Sequence, residues 1–181
     1  MGDYILLEPL PPNECYVARL TKIIKLVDAK ERQEIFIEVE WVMRKSDLPD
    51  NLIRLYGDYI STAEVFPSNE KVFLYVPSIR SKCTVLTIDE YGQISNSPDF
   101  IFYSRSRYNV EKRMLEPNPS TWESDCSCHK PNNPDLMYVQ CIKCENWFHQ
   151  DCVGQNIING EFLCNGCFGP NGTKGVLEIM G

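Results

Sequence analysis

Basic residues are in the minority in this chain of 181 residues, which contains 18 Lys and Arg against 25 Asp and Glu. Proteins that bind nucleic acid collect Lys and Arg along one face, where they neutralise phosphates. The deficit is greatest in residues 119–181, which contain 3 basic and 7 acidic side chains. This part of the chain should repel a phosphate backbone and attract a basic peptide. We therefore expect no direct sequence-specific binding of DNA.

Long apolar runs are also missing. No stretch approaches the ~20 apolar residues that a membrane-spanning helix requires. The N-terminal segment includes Asp3 and reaches Pro9 after only a short apolar run, which is not the pattern of a signal peptide. We expect no membrane association. A disulfide framework, which requires an oxidising compartment, is likewise not expected.

Signatures of catalysis are absent as well. No paired carboxylates, Ser/His constellation or Gly-rich phosphate loop stands out, and the chain has 2 histidines. The sequence therefore predicts a protein that is not an enzyme.

Cysteine, in contrast, is plentiful, with 9 residues in the chain. Seven of them fall between positions 126 and 167 and form close pairs with one another or with a histidine. Each close pair can hold one side of a tetrahedral ion, and four pairs make two closed sites of the kind that structural zinc occupies. We predict two structural zinc ions held by Cys126, Cys128, Cys141, Cys144, His149, Cys152, Cys164 and Cys167. Closed sites leave no coordination position for a catalytic water.

The order of these ligands, four Cys, one His and three Cys, resembles that of a plant homeodomain (PHD) finger. Trp147-Phe148-His149 and Phe162, two residues before Cys164, also match that family. The resemblance implies a cross-brace, in which one zinc is held by Cys126, Cys128, His149 and Cys152 and the other by Cys141, Cys144, Cys164 and Cys167. Phe162 is expected to pack under the second site. So short a segment cannot bury enough apolar surface to fold alone, and metal binding supplies on the order of 10 kcal/mol or more per zinc.

PHD fingers that read methylated lysine four of the histone-three tail build an aromatic cage from set positions. Trp147 and Tyr138 match two of these positions, whereas Asp125 and Asn132 occupy the other two. A carboxylate and an amide can accept the N–H that dimethyl-lysine keeps and trimethyl-lysine lacks. The resemblance therefore implies a histone-tail site that binds dimethyl-lysine at least as well as trimethyl-lysine. Trp122 is expected either to pack on the preceding module or to add a wall to this cage.

A short strand is predicted at Met137-Tyr-Val-Gln140, between the ligand pairs. An edge strand in this position can accept a peptide by β-augmentation. Met137 is therefore included among the expected histone-binding residues.

Residues 1–118 are predicted to form a mainly β module. The alternation of Ile35, Ile37, Val39 and Trp41 is typical of a half-buried strand. Residues 1–13, with three prolines, should be irregular. Residues 110–115 should form a short helix. Further strands are predicted at 15–27, 60–66, 71–77, 82–89 and 100–108. Many short strands with polar turns imply an antiparallel barrel or sandwich, followed by the zinc finger at 119–168 and a tail at 169–181.

This front module is similar to a bromo-adjacent homology (BAH) domain. The similarity rests on segments such as Tyr16-Val-Ala-Arg19, Val39-Glu-Trp41 and Phe102-Tyr-Ser-Arg105. BAH domains are β-rich chromatin modules without catalytic activity, and a BAH domain joined to a PHD finger looks like the short two-module histone readers.

A second cage is implied in this module by the same resemblance. BAH domains that read methyl-lysine place aromatic residues at the positions of Tyr16 and Trp41, but Met43 stands where a third is expected. A thioether is polarizable but has no π-face. The module is therefore expected either to bind another methylated lysine, such as lysine twenty-seven of the same tail, or to serve as a scaffold.

Together these features predict a nuclear, non-enzymatic reader of the histone-three tail that acts on nucleosomes or within a chromatin complex. One alternative is a scaffold of such a complex without methyl-lysine affinity. The other is a RING-type ubiquitin ligase, which also binds two zincs in a cross-brace. In most RING domains the histidine is the fourth of the eight ligands. In the variant in which it is the fifth, the Trp two residues before the histidine is missing.

Overall fold

The computed structural model describes residues 2–8, 15–27, 30–94, 99–153, 157–158 and 161–168. The chain divides into two compact units, Met1–Trp122 and Glu123–Gly181. The predicted tail, 169–181, lies outside the described residues. Among the helices that are described, none has both the length and the apolar character needed to cross a membrane.

An eight-stranded sheet makes up most of the first unit. Its strands are β1 Tyr4–Leu7, β2 Tyr16–Val27, β3 Gln33–Arg44, β4 Val65–Tyr75, β5 Ile79–Leu86, β6 Ile101–Tyr103, β7 Arg107–Asn109 and β8 Met114–Glu116. They lie in the order β6-β5-β1-β2-β3-β4-β7-β8, and neighbouring strands are antiparallel except for the parallel pairs β5–β6 and β4–β7. The mainly β fold predicted for this module is confirmed.

Three apolar clusters among the described residues stabilise this sheet, and the third of them consists of Val17, Val42, Val65 and Phe102. Ile37 and Val39 of β3 are buried, as predicted, and pack with Ile5, Leu7 and Ala18. Ile35, which was expected to share their burial, is exposed near the end of the strand. Two short helices accompany the sheet, α1 Asp50–Tyr56 and α2 Ile88–Gly92. The second cluster includes the buried side chains Leu48, Leu52, Ile60, Phe66, Tyr108, Leu115 and Trp122.

A buried ion pair adjoins the second cluster. The Arg105 guanidinium donates to both carboxylate oxygens of Glu64, at 2.7 and 2.8 Å, and lies 3.7 Å from the centre of the Trp122 ring. Burial raises the pKa of Glu64, although the hydrogen bonds from Arg105 oppose that shift. Trp122 Nε1 also donates to Ser106 Oγ at 2.9 Å, and its ring stacks parallel to that of Phe66. Trp122 therefore packs into the first unit.

Four local predictions for this unit were wrong. The expected separate strands at 60–66 and 71–77 are one strand, β4, which begins at Val65. Tyr4–Leu7, expected to be irregular, form β1 and pair with both β2 and β5, because the prolines all come after this strand. The expected helix at 110–115 is a turn followed by β8, with Arg113 in the left-handed region at φ 51°. The expected strand at 100–108 is split into β6 and β7, which pair with different parts of the sheet.

The described part of the second unit contains little regular structure. The strands β9 Tyr138–Gln140 and β10 Trp147–His149 form an antiparallel hairpin, and β11 Ile157–Ile158 pairs with β12 Glu161–Phe162. The short helix α3, Asn165–Phe168, follows. The core consists mainly of cysteines together with Phe148 and Phe162, whose rings meet edge to face at 5.7 Å.

Candidate functional site

Two groups of possible metal ligands lie in the second unit. Within each group, one donor atom of every residue lies within 4.8 Å of the others. The grouping is the one that the PHD resemblance implies. Cluster one consists of Cys126, Cys128, His149 and Cys152, and cluster two consists of Cys141, Cys144, Cys164 and Cys167.

The hairpin turn between β9 and β10 positions ligands of both clusters. The Cys141 N–H donates to the carbonyl of Asn146 at 3.0 Å, and the Glu145 N–H donates to the carbonyl of Cys141 at 2.8 Å. Glu145 adopts a left-handed conformation, φ 60°, which tightens the turn around Cys144. His149 ends β10, so the same hairpin carries a ligand of cluster one at its other end.

The donor separations suit a tetrahedral ion. In cluster one, His149 Nδ1 lies 3.4 Å from Cys128 Sγ and 3.9 Å from Cys152 Sγ, which makes Nδ1 the ligand atom. In cluster two, the Sγ atoms of Cys144 and Cys164 are 3.8 Å apart. Donors bound at zinc distances on a tetrahedron are separated by about 3.5–3.8 Å.

The thiol pKa values differ widely within each cluster, and a bound cation would lower all of them. Burial opposes the ionisation of Cys126 and Cys141, yet backbone N–H groups lower the pKa of each thiol to about 6. Burial and neighbouring thiols raise the pKa of Cys152 to about 11, and the Cys164 thiol together with burial raises that of Cys167 to about 12. A divalent cation favours deprotonation of every ligand thiol. Closed tetrahedral sets of three or four sulfurs are typical of zinc, so the residues fit the predicted ion.

The hydroxyl of Tyr138 supports cluster one from outside. It lies 3.0 Å from His149 Nε2 and accepts a hydrogen bond from the Asn133 N–H at 2.8 Å. A metal bound at Nδ1 would leave the ring proton on Nε2, which would then donate to the Tyr138 hydroxyl. Such outer partners fix the orientation and tautomer of a ligand histidine. Sequence reasoning missed this contact, although the hairpin register, which pairs Tyr138 with His149, is the signal that could have found it.

Replacing Tyr138 with Phe should weaken zinc binding at cluster one by about tenfold to a hundredfold, because His149 loses its outer partner. The change can be measured by competition with a chromophoric chelator. Cluster two serves as the internal control, since Tyr138 contacts His149 of cluster one, and its affinity should stay at the wild-type value. Two unchanged affinities would contradict this role for the hydroxyl.

Of the residues predicted to contact a histone tail, the two hydrophobic side chains at the hairpin are exposed. Trp147 is 45% exposed and Met137 is 73% exposed. Trp147 pairs with Gln140, two residues from Tyr138, so Trp147 and Tyr138 share one face of the hairpin. Trp147 therefore offers an accessible aromatic surface rather than a core contact. In this two-stranded sheet β9 is also an edge strand.

The two polar positions of the predicted cage bind each other. Asn132 Nδ2 donates to Asp125 Oδ2 at 2.7 Å, and the Asp125 N–H donates to Asn132 Oδ1 at 3.2 Å. The next residue, Asn133, bonds to the Tyr138 hydroxyl. The backbone next to Asn132 therefore connects the Asp125–Asn132 pair to Tyr138 of the hairpin.

The first unit has a pocket of about 370 Å³ at the predicted BAH cage. Tyr16 and Trp41 form two of its walls, with ring centroids 5.5 Å apart and an interplanar angle of 65°. Met43 lines the same pocket, so the structure brings the three predicted residues together. Asp47 and Glu70 also line it.

Neither carboxylate was expected from the sequence. Asp47 ends a 3₁₀ turn that follows β3, and its Oδ2 accepts the Arg44 N–H at 2.8 Å. Glu70 reaches the pocket through a β-bulge. Between β3 and β4 the register shifts from Val42 opposite Pro67 to Glu40 opposite Lys71, so residues 68–70 lie opposite Trp41. A bulge of this kind re-aims side chains and leaves no trace in the hydrophobic pattern.

The protein has two modules, a curled β sheet with an aromatic pocket and a unit with two clusters of possible metal ligands. The described residues include no catalytic constellation. The BAH domain family model matches residues 1–119, and the chain belongs to the BAH domain family. Chromatin remodeling protein SHL of Arabidopsis thaliana is 30% identical over 171 residues, which cover 92% of this chain and 71% of that protein. Chromatin remodeling protein EBS of the same organism is 28% identical over 181 residues, with coverages of 96% and 72%.

Both Arabidopsis matches are longer than the first unit, so they extend into the unit that holds the metal-ligand clusters. Among solved structures, the yeast Rsc2 BAH domain is similar, with a TM-score of 0.45 and 17% identity over 63% of this chain and 47% of that chain. These comparisons indicate no catalytic family.

Proposed function

We propose that this protein is a nuclear, non-enzymatic chromatin reader whose second unit is a PHD finger. The finger holds two structural zinc ions and binds the histone-three tail at methylated lysine four. The observation that carries the proposal is the exposed Trp147 beside Tyr138 on an edge hairpin between two metal-ligand clusters. The relatives, both chromatin remodeling proteins by name, support a chromatin setting.

Charge supports a basic ligand for the finger. Residues 119–181 contain 7 acidic and 3 basic side chains. Seven cysteine thiolates bound to two divalent ions add a further net charge of −3. A histone tail carries many lysines and arginines, so long-range attraction would raise the rate of encounter.

The hairpin offers both parts of a peptide site. The free edge of β9 can pair with an extended tail, which supplies affinity through backbone hydrogen bonds. The indole of Trp147 supplies a π-face for a methylated ammonium, a contact worth about 0.5–2 kcal/mol. Asp125 and Asn132 add polar groups that suit an ammonium with a remaining N–H, so dimethyl-lysine should bind at least as tightly as trimethyl-lysine.

Replacing Trp147 with Ala should weaken binding of a dimethyl-lysine-four peptide by at least about tenfold, because the exposed aromatic contact is lost. Isothermal titration with the unmodified, mono-, di- and trimethylated peptides measures both the loss and the preference. The zinc content should stay unchanged, since Trp147 is not a ligand. Phe73→Ala, which removes an aromatic side chain that is 62% exposed in the first unit, is a matched control.

Wild-type protein that binds none of these peptides would overturn the proposal and favour the scaffold. A tenfold preference for trimethyl-lysine would contradict the proposed role of Asp125 and Asn132. Equal binding by the wild type and Trp147→Ala would remove Trp147 from the site.

The first unit is proposed to contain a second methyl-lysine site at the pocket formed by Tyr16, Trp41 and Met43. The rings of Tyr16 and Trp41, inclined at 65° to each other, offer two aromatic surfaces to a methylated ammonium. Lysine twenty-seven of the histone-three tail is the proposed target.

A further inference from the structure

The pocket of the first unit contains two carboxylates that its expected aromatic cage does not explain. We infer that this pocket selects lysine with one or two methyl groups over trimethyl-lysine, and that Asp47 and Glu70 are the residues that set this preference. The inference rests on the proposed function of the pocket as a methyl-lysine site.

The aromatic part of the pocket is incomplete for a trimethylammonium group. Tyr16 and Trp41 supply two π-faces at 65° to each other, with centroids 5.5 Å apart. The third wall is Met43, whose thioether contacts methyl groups but offers no π-face. A cation that carries no N–H depends on π-faces and apolar contact for its binding. Two rings and a thioether therefore favour trimethyl-lysine less than three rings would.

The carboxylates approach the pocket from separate elements. Asp47 comes from the turn after β3, and Glu70 comes from the bulge of β4. Asp47 is held by the N–H of Arg44, whose bond to Asp47 Oδ2 fixes the direction of the carboxylate. Two acceptors supplied from separate elements suit an ammonium that has one or two hydrogens to donate.

The cations nearest to these carboxylates in the sequence have partners of their own, and the Arg44 guanidinium donates to the carbonyl of Cys15 at 3.1 Å. Lys71, which directly follows Glu70, lies 3.6 Å from Glu38 and 3.8 Å from Glu40. Lys45, two residues before Asp47, donates to the carbonyl of Ile60 at 3.0 Å. The charges of Asp47 and Glu70 thus remain available to a cationic ligand.

Hydrogen bonding, rather than charge, separates the methylation states. Lysine with one, two or three methyl groups carries the same single positive charge, so Coulomb attraction to the carboxylates is similar for all three. Only the first two keep an N–H that a carboxylate can accept, and such charge-assisted bonds are about twice as strong as neutral ones. One bond of this kind changes affinity by on the order of tenfold or more.

The test is isothermal titration of the full chain with histone-three peptides centred on lysine twenty-seven, in the unmodified, mono-, di- and trimethylated forms. We expect the mono- or dimethylated peptide to bind at least fivefold more tightly than the trimethylated one. Asp47→Asn combined with Glu70→Gln should remove this preference, mainly by weakening the mono- and dimethylated complexes. Glu31→Gln combined with Glu34→Gln, at exposed positions, removes the same charge and should leave the ranking unchanged.

The order of the affinities of the wild-type protein for the four peptides tests the inference without any variant. Trimethylated peptide bound as tightly as the others, with Trp41→Ala abolishing binding, would overturn the inference and leave the proposed site standing. Absence of binding by every peptide would overturn both. Glu70→Gln alone is the second variant, because Glu70 is exposed and its replacement leaves the Asp47–Arg44 bond intact.

Discussion

Removal of the metal is expected to unfold the second unit while the first unit stays folded. Beyond its cysteines, the buried apolar side chains in the described core of the second unit are Phe148 and Phe162. A structural zinc supplies about 10–16 kcal/mol, which is as large as the whole stability of a typical domain. The first unit has its own apolar clusters and contains neither cluster of ligands. Hydrogen exchange with and without a strong chelator measures the change for each strand.

In the presence of the chelator, the amides of β9 and β10 should lose protection, whereas those of β2 and β3 should keep it. Cys164→Ser should have the same effect, because Cys164 is a buried member of cluster two. Cys83→Ser is the matched control. Cys83 is a half-buried cysteine of β5 that belongs to neither cluster, and burial raises its thiol pKa to about 11, so its replacement should change little. A protected β9–β10 hairpin in strong chelator would contradict a metal-dependent fold.

Arg105→Ala is expected to destabilise the first unit by about 3–5 kcal/mol, because it leaves a buried charge without its partner. The Glu64 side chain is completely buried and that of Arg105 is 8% exposed. The substitution also removes the guanidinium from the face of the Trp122 ring. Urea unfolding followed by circular dichroism measures the loss of free energy.

The loss of stability in Arg105→Ala should depend on pH, because it arises from the buried carboxyl group of Glu64. Burial raises the pKa of Glu64, and removal of Arg105 takes away the hydrogen bonds and charge that oppose the shift. A carboxyl group with a raised pKa in the folded state stabilises that state at low pH, and the stabilisation is lost as the pH rises through the folded pKa. The penalty of Arg105→Ala should therefore shrink under mildly acidic conditions. Lys112→Ala, which breaks the exposed Lys112–Glu116 pair, should have no measurable effect. An equal effect of the two substitutions would contradict this account.

The two clusters of possible metal ligands could be predicted from the sequence because their members follow one another at short spacings. Pairs such as Cys141 and Cys144 lie in one tight turn, so the chain itself brings them together. The alternation in β3 was informative only in part, since Ile37 and Val39 are buried, whereas Ile35 is exposed and the intervening Glu38 is buried as well. Local pattern and local structure agree fully only for the closely spaced cysteines.

The errors arose where long-range pairing decides the structure. β1 is a short segment that becomes a strand because β2 and β5 lie on either side of it. Residues 110–115 lack a strong local preference, and pairing between β7 and β8 determines their conformation. The contact between Tyr138 and His149, which the sequence did not reveal, likewise depends on the register of the hairpin. The role of Tyr138 as a cage wall stays a prediction.

The pocket of the first unit shows the same limit. Tyr16, Trp41 and Met43 could be placed together by family resemblance. Glu70 is 29 residues after Trp41 in the sequence and reaches the pocket only through the bulge in β4. No periodicity in a single sequence reports such a bulge.

Native mass spectrometry of the intact chain with a dimethyl-lysine-four peptide of histone three tests most directly whether bound metal shapes a histone-reading surface. The expected dominant species carries two zinc ions and one peptide, and chelation should remove the zinc and the peptide together. A chain with fewer than two zinc ions, or a metal-free chain that still retains the peptide, would contradict that claim.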